Sequence, residues 1–353
     1  MKSQMYTDQD LDAAVSAGAI SPEAAAELRN FIARRAAAPA ADEEHFRLLT
    51  GFNDIFVAIA LLLMLTAAGW LGSQTDASGG GLLVAILSWG LAEYFTRRRR
   101  MALPSILLLL GFVGGVFFAA AGRVASSDLL FGTNMGYPLA GCAALAAGAA
   151  WLHWRRFMVP ITVAAGAGAA ILTAAALLLA LVPPLRLHGG MPLMLAGGLA
   201  AFTLAMWWDT SDPTRTTRRS DVAFWLHLAA APLIVHPVFS MLGVIDGGSG
   251  EAVAAGIALL VYLVLALVAL AVDRRALLVS ALAYVFYAIS ALLEAAGTPG
   301  ATEAMAALVI GSALLLLSAF WQRARRPVLG LLPAAIQARL PPLAAPSGAR
   351  LQR

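Results

Sequence analysis

A chain of 353 residues that is 60% hydrophobic and 12% charged has too little polar side chain to cover a water-soluble fold of its size. Its 24 basic and 20 acidic residues leave a net charge of +4, which calls for no nucleic-acid partner. The single cysteine, Cys142, excludes an internal disulfide framework and a cysteine metal cluster, and in its apolar stretch it reads as a small core residue.

Residues 1–50 contain no apolar run long enough to span a bilayer and hold eight of the 20 carboxylates, so they form a separate cytosolic or interfacial domain. Thr7 and Asp10 precede Leu11 and Val15 as a helix start, Gly18 supplies a turn, and Ser21 followed by Pro22 starts a second helix with Leu28, Phe31 and Ile32 on one face. This predicts a small helical hairpin, followed by the linker AAAPAAD and a short charged helix from Asp42. The hairpin offers a contact surface for a protein partner. No charged n-region with a cleavage site precedes the apolar segments, so the first span is read as an uncleaved anchor.

The opening LDAAVSAGAISPEAAAELRNFI, with a Leu-bearing helix, an AGxIS turn and a Pro/Glu-started second helix, resembles the N-terminal hairpin of bacterial multi-pass membrane proteins grouped as domains of unknown function. The resemblance covers about 30 residues. It implies a polytopic protein and brings no catalytic residues with it.

A helix needs roughly 20 residues to cross about 30 Å of hydrocarbon. Apolar stretches of about that length lie at 53–72, 80–96, 103–122, 136–154, 158–182, 189–208, 222–243, 250–272, 276–296 and 302–321, the second being the shortest. The expected fold is an all-α integral membrane protein of about ten transmembrane helices in successive hairpins, bundled over 51–322, with a basic, Pro-rich cytosolic or interfacial tail at 323–353. Loop charge then sets orientation independently of hydropathy. With both termini cytosolic, 22 of the 24 basic residues fall on the inner side and only Arg123 and Arg186 outside. Seven of the eight tryptophans sit toward the same inner ends, Trp70 being the other. Twenty-three arginines, one lysine and an Ala/Leu/Gly-rich background point to a GC-rich bacterial genome, hence to the bacterial inner membrane.

Arg-Arg-x-x-(Leu/Val) recurs from Arg99, Arg155, Arg218, Arg274 and Arg325, at intervals of 56, 63, 56 and 51 residues. Each pair is a stop signal at a cytosolic corner, where arginine also meets anionic lipid headgroups, or else the series marks duplicated helical hairpins. The segments GFVGG, LAGCAALAAGAA, AAGAGAA and LAGGLAAF supply small residues for close helix crossing.

Polar groups within the spans are the remaining candidates for a site. Asn53 and Asp54 open the first span, where unpaired backbone N–H groups and the helix dipole favour an anion; they read as a cap, or as a docking or ion site facing the hairpin. Glu93 stands four residues before Arg97, which is enough for a headgroup-level ion pair. His236 precedes Pro237 and comes after Pro232, so it is expected to bond a carbonyl freed by proline or a tyrosine, or to join a polar pocket with Glu294 or with Tyr284 and Tyr287. His227, nine residues earlier, falls on the opposite face near the cytosol. No zinc-protease helix motif, paired-aspartate motif, phosphate loop or nucleophile elbow is present. The expected catalytic, cofactor-binding and metal residues are therefore none. Two function classes remain: a non-enzymatic inner-membrane protein with a structural, sensory or regulatory role, and a permease for a neutral or amphipathic solute.

Overall fold

The computed structural model describes residues 8–28, 52–126, 135–212, 215, 217–242, 251–295, 302–337 and 340–341. It divides into two compact units, one of residues 1–46 with 345–353 and one of residues 47–344.

In the smaller unit, α1 runs Asp8–Ser16 and α2 is described over 22–28. Gly18, at φ +72°, turns the chain between them, a conformation glycine adopts without cost. The Ser21 Oγ accepts the Ala24 N–H as an N-cap, as the Ser-Pro pair predicts. Phe31, Ile32, the AAAPAAD linker and the helix expected from Asp42 lie outside the described residues.

Among its described residues the larger unit is helical throughout, with short connections. Its first helix, α3 (Phe52–Ser73), is a charge-free apolar run after Asp54. Asp76 then caps α4 (Gly79–Ala92), its Oδ1 accepting the Ser78 and Gly79 N–H groups, each at 2.7 Å, and the Ser78 hydroxyl at 2.6 Å. The Ser78 hydroxyl and, after it, the two backbone donors hold the Asp76 carboxyl below its usual range. α4 continues into a π-turn, Glu93–Arg98, and α5 (Ala102–Ala125) begins after Met101 with Pro104 in its first turn. The chain goes on through α6 (Gly136–Phe157), α7 (Ile161–Leu181), the short α8 (Leu185–His188), α9 (Gly190–Thr210) and α10 (Arg218–Met241). It closes with α11 (Glu251–Val272), α12 (Ala276–Ala295), α13 (Thr302–Ala319), α14 (Trp321–Gly330) and α15 (Ala334–Gln337).

Among the described residues, eight helices are long and apolar enough to cross a membrane. They are α3, α5, α7, α9, α10, α11, α12 and α13, and they make this a multi-pass membrane architecture. The ten expected stretches exceed that number by two for physical reasons. The α-helical part of α4 is 14 residues, its last turns being π and carrying Glu93, Arg97 and Arg98. α6 has 22 residues but is rich in alanine and glycine and ends in Trp, His and Arg.

Among the described residues, four that are not glycine take the left-handed conformation: Arg100 (φ 54°), Met158 (55°), Arg215 (54°) and Asp273 (61°). Each occupies the short connection of one helix pair, α4/α5, α6/α7, α9/α10 or α11/α12, and they succeed one another at 58, 57 and 58 residues. A single left-handed residue lets a chain leave one helix and reverse within a few residues, although each such non-glycine residue costs about 1–2 kcal/mol. The four pairs so connected are also the most closely packed helix pairs. Lateral contacts then run from α3 to α5, from α5 to α6 and α7, from α7 to α10, from α10 to α12 and from α12 to α13.

Small residues act at crossings, as the sequence suggests, but not all of them do. A Cβ on Gly81 of α4 or on Gly115 of α5 would come 2.7 Å from the other's carbonyl oxygen, so this crossing needs both glycines. In α6, by contrast, Cys142, Ala143, Ala146 and Ala150 are buried while Gly141 and Gly148 face open space. At the end of the chain, α14 lays Trp321, Arg325 and Leu329, one turn apart, against the bundle, so the compact unit extends to residue 344 and takes in much of what the sequence reads as a tail.

Candidate functional site

The α6/α7 and α9/α10 corners share an apolar cluster through Trp154 and Trp208, and arginine and carboxylate bond the corners in two pairs, α4/α5 with α6/α7 and α9/α10 with α11/α12. The deepest of these clasps centres on Asp209, in the last turn of α9. A carboxylate there opposes the negative end of the helix dipole, and its surroundings are dry, so it requires a cation. Arg274, beyond the end of α11, supplies it: Nη2 and Nε donate to Oδ1 and Oδ2 at 2.5 and 3.2 Å, and Nη2 also reaches the Ser220 carbonyl at 3.3 Å. His227 of α10 places Nε2 3.1 Å from Asp209 Oδ2. All three side chains are at most 2% exposed. The imidazole lies edge-on to Phe202, and its Nδ1 is buried without a hydrogen-bond partner among the described residues.

A second clasp joins two left-handed corner residues directly. Arg215 Nη1 pairs with Asp273 Oδ2 at 3.0 Å, while its Nη2 donates to the Val272 and Asp273 carbonyls at the end of α11. The other Asp273 oxygen accepts Trp321 Nε1–H at 2.6 Å. Arg325, fully buried, donates to the Leu270, Ala271 and Pro341 carbonyls and stands 3.8 Å from Asp273. The carbonyls that a helix end leaves unpaired are thus satisfied by guanidinium groups from two other elements. The α9/α10 connection is further held by Asp212, whose Oδ2 accepts both the N–H and the hydroxyl of Thr217, the N-cap of α10.

The third clasp is on the surface. Glu93 accepts Arg97 at 3.2 Å, the pair expected from sequence, and also Arg156 of α6 at 2.7 and 3.0 Å. Nearby within α6, His153 is fully buried, with Nδ1 3.2 Å from the Thr162 hydroxyl and its ring against Phe157, Phe112 and Trp89.

Of the residues that the sequence singles out, Asn53 and Asp54 both lie in the first turn of α3, which begins at Phe52; Asn53 is exposed and Asp54 4% exposed. Tyr284 Oη and His236 Nδ1 are 2.7 Å apart, and the Tyr284 ring stacks on Phe239 at 4.4 Å. Tyr287 and Glu294 are exposed and are not brought to that pair. The Leu233 carbonyl, freed by Pro237, faces α9: a Cβ on Gly198 would lie 2.8 Å from that oxygen, so only glycine lets the two backbones approach. His236 therefore pairs with the tyrosine while the glycine meets the carbonyl. Sequence reasoning passes over Asp209, Asp273, Arg215, Arg274 and Arg325 as a group. The signal available is Asp209 itself, an acid directly after Trp207 and Trp208 at the end of an apolar span.

Among the described residues, no group of three or more His, Cys, Asp or Glu is arranged to hold a metal ion. No protein-family model, curated protein or solved structure matches the chain.

Proposed function

We propose that this chain is a ten-span bacterial inner-membrane protein, non-enzymatic, with a structural, sensory or regulatory role, whose arginine-rich end and both termini face the cytosol. The observation that carries this reading is where the buried charge is used. Asp209, Arg274, Asp273, Arg215 and Arg325 bond neighbouring corners together at one end, making that end a fixed platform. Ten crossings are supported by the π-turn, which prolongs α4 to 20 helical residues over 79–98, about 30 Å, and by the 22 residues of α6. The N-terminal helical hairpin, in the manner of the bacterial families it resembles, serves as the contact surface for a protein partner, and the arginine corners meet anionic headgroups.

A full-length protein and one lacking residues 1–46, each crosslinked in cells, test the role of the hairpin. Loss of specific crosslinked partners with retention of the membrane bundle supports the reading. An unchanged crosslinking pattern, or loss of the bundle, counts against it.

The permease reading keeps one observation in its favour: the half-buried His236–Tyr284 pair joins α10, which contains both Pro232 and Pro237, to α12. Uptake of a neutral solute by liposomes containing the protein, abolished by Tyr284→Phe, would put that reading first.

A further inference from the structure

The arginines at the clasped end are used in two different ways. Around α9–α12 and α14, Arg215, Arg274 and Arg325 are turned inward to carboxylates and backbone carbonyls. Around α4–α6 they are turned outward. Arg97, Arg98, Arg99 and Arg100 at the α4/α5 corner and Arg155 and Arg156 at the end of α6 are all exposed. Glu93, bonded to both Arg97 and Arg156, draws the two corners into one patch. Six guanidinium groups around that one carboxylate leave five positive charges in excess.

The patch also has an aromatic floor. The Arg155 guanidinium lies 5.2 Å from the Trp151 ring centre, and that of Arg99 lies 5.5 Å from Tyr94, whose hydroxyl accepts from it twice. Trp151 and Tyr94 are 61% and 42% exposed. Exposed Trp and Tyr favour the depth where acyl chain gives way to headgroup. Arg99 spends its Nε and Nη2 on the Tyr94 hydroxyl, whereas a guanidinium resting on a ring as that of Arg155 does presents its N–H edge to oxygen, and its planar fork suits phosphate better than an ammonium does.

We propose that the α4/α5 corner and the C-terminal end of α6 form one binding site for an anionic phospholipid of the inner leaflet, preferring a headgroup with two phosphates. The proposal rests on the membrane reading above. A two-phosphate headgroup fits because the excess charge is spread over two corners bridged by Glu93, and the glycerol and acyl regions fall against Trp151 and Tyr94. Basic patches between transmembrane helix ends are suited to such headgroups.

The test uses full-length protein in mild detergent, titrated with diphosphatidylglycerol, phosphatidylglycerol or phosphatidylcholine, with bound lipid counted by native mass spectrometry. Arg98→Gln, Arg100→Gln and Arg155→Gln are combined, since all three are exposed and none bonds Glu93. Arg218→Gln with Arg219→Gln serves as the control at another corner. The wild type is expected to retain diphosphatidylglycerol over phosphatidylcholine. The triple variant should weaken retention about 100-fold, roughly fivefold per surface arginine, while the control stays near wild type. Melting temperature confirms that the triple variant is folded, and the matching Lys variants should recover part of the affinity.

Equal weakening in the control, or unchanged retention in a folded triple variant, overturns the proposal. So does displacement of the lipid by inorganic pyrophosphate at equal concentration, which would make the patch a soluble-anion site. Reporter fusions that put this end outside the cell would instead break the membrane orientation, and detergent lipid binding would still stand or fall by itself.

Discussion

Asp209 is held in an unfavourable position by His227, 18 residues on in the next helix, and by Arg274, 65 residues on. Removing one member of a buried pair leaves the other charge dry and unpaired, at about 3–5 kcal/mol, whereas replacing both by apolar residues is often close to neutral. Asp209→Asn and Arg274→Met should therefore each lower unfolding free energy by about that amount, and Asp209→Leu with Arg274→Met should recover most of it. Denaturation in detergent measures all three. A double variant as damaged as the sum of the singles would show that the residues act separately. The same logic applies at lower magnitude to His236 and Tyr284. Tyr284→Phe is expected to cost about 1 kcal/mol, and His236→Leu about 1–3 kcal/mol because it leaves a half-buried hydroxyl unpaired. His236→Asn, able to keep a polar partner for that hydroxyl, should cost less. This pair is partly legible in the sequence, since few polar residues occur in the spans and a tyrosine is among the partners expected for His236. The Asp209–Arg274 pair is not, because both residues sit just past the apolar runs, where acid and arginine read as loop charge.

At the scale of the element, the recurring unit is a helix pair closed by one left-handed residue. The arginine motif that hints at it repeats at 56, 63, 56 and 51 residues, while the left-handed residues repeat at 58, 57 and 58. The difference has a physical cause. An interfacial arginine works equally well a turn earlier or later, because its long stem reaches the headgroups from several positions. A chain reversal is fixed to one residue. Asp273 alone is of a type that takes a positive φ at all readily, and nothing in Arg100, Met158 or Arg215 announces one, so the regular period is visible only in the backbone. Met158 offers the cleanest test, being 43% exposed with φ 55°. Met158→Gly should be neutral or raise stability by up to about 1 kcal/mol, and Met158→Val should lower it by at least ~1 kcal/mol, because a β-branched residue tolerates this region poorly. Equal effects of the two would deny that the corner is under backbone constraint. At the other end of α4, the Asp76 cap gives a pH signature. Its carboxyl titrates lower in the folded protein than in the unfolded chain, so its contribution is complete above the ordinary carboxylate range of about 4 and is lost as pH falls through the lower folded value. Melting temperature measured from neutral pH downward should fall less steeply in Asp76→Asn than in the parent.

For the whole molecule, the decisive quantity is the number of times the chain crosses. Eight helices satisfy length and apolarity by themselves, and the count of ten depends on α4 with its π-turn and on α6. Different observations bear on the two. The Glu93–Arg156 bond brings the end of α4 beside the end of α6, and only α5 and α6 lie between those residues. With α5 long and apolar enough to span, the proposed crossing of α6 is the arrangement that keeps the two residues on one side of the bilayer. The case for α4 rests on charge. With the N-terminus cytosolic, an α4 that did not cross would put Arg97–Arg100 outside, together with the arginines of the α6/α7, α9/α10 and α11/α12 corners, against the tendency of basic residues to stay on the cytosolic side. Reporter fusions test both helices. Fusions after residues 100, 156, 214, 275 and 325 are expected to report the cytosol, and fusions near 76, 128, 187, 246 and 299 the outside. The informative sites are 76 and 100 for α4, and 128 and 156 for α6. Opposite locations within each pair establish the crossing, whereas a shared location removes that helix from the count and inverts every later span. A shared location at 76 and 100 alone would leave Glu93 and Arg156 together on the outer side, so the clasp would survive while the cytosolic orientation failed. A shared location at 128 and 156 alone would separate Glu93 from Arg156 by the thickness of the membrane, so that result would overturn both the proposed crossing of α6 and the ion pair between them.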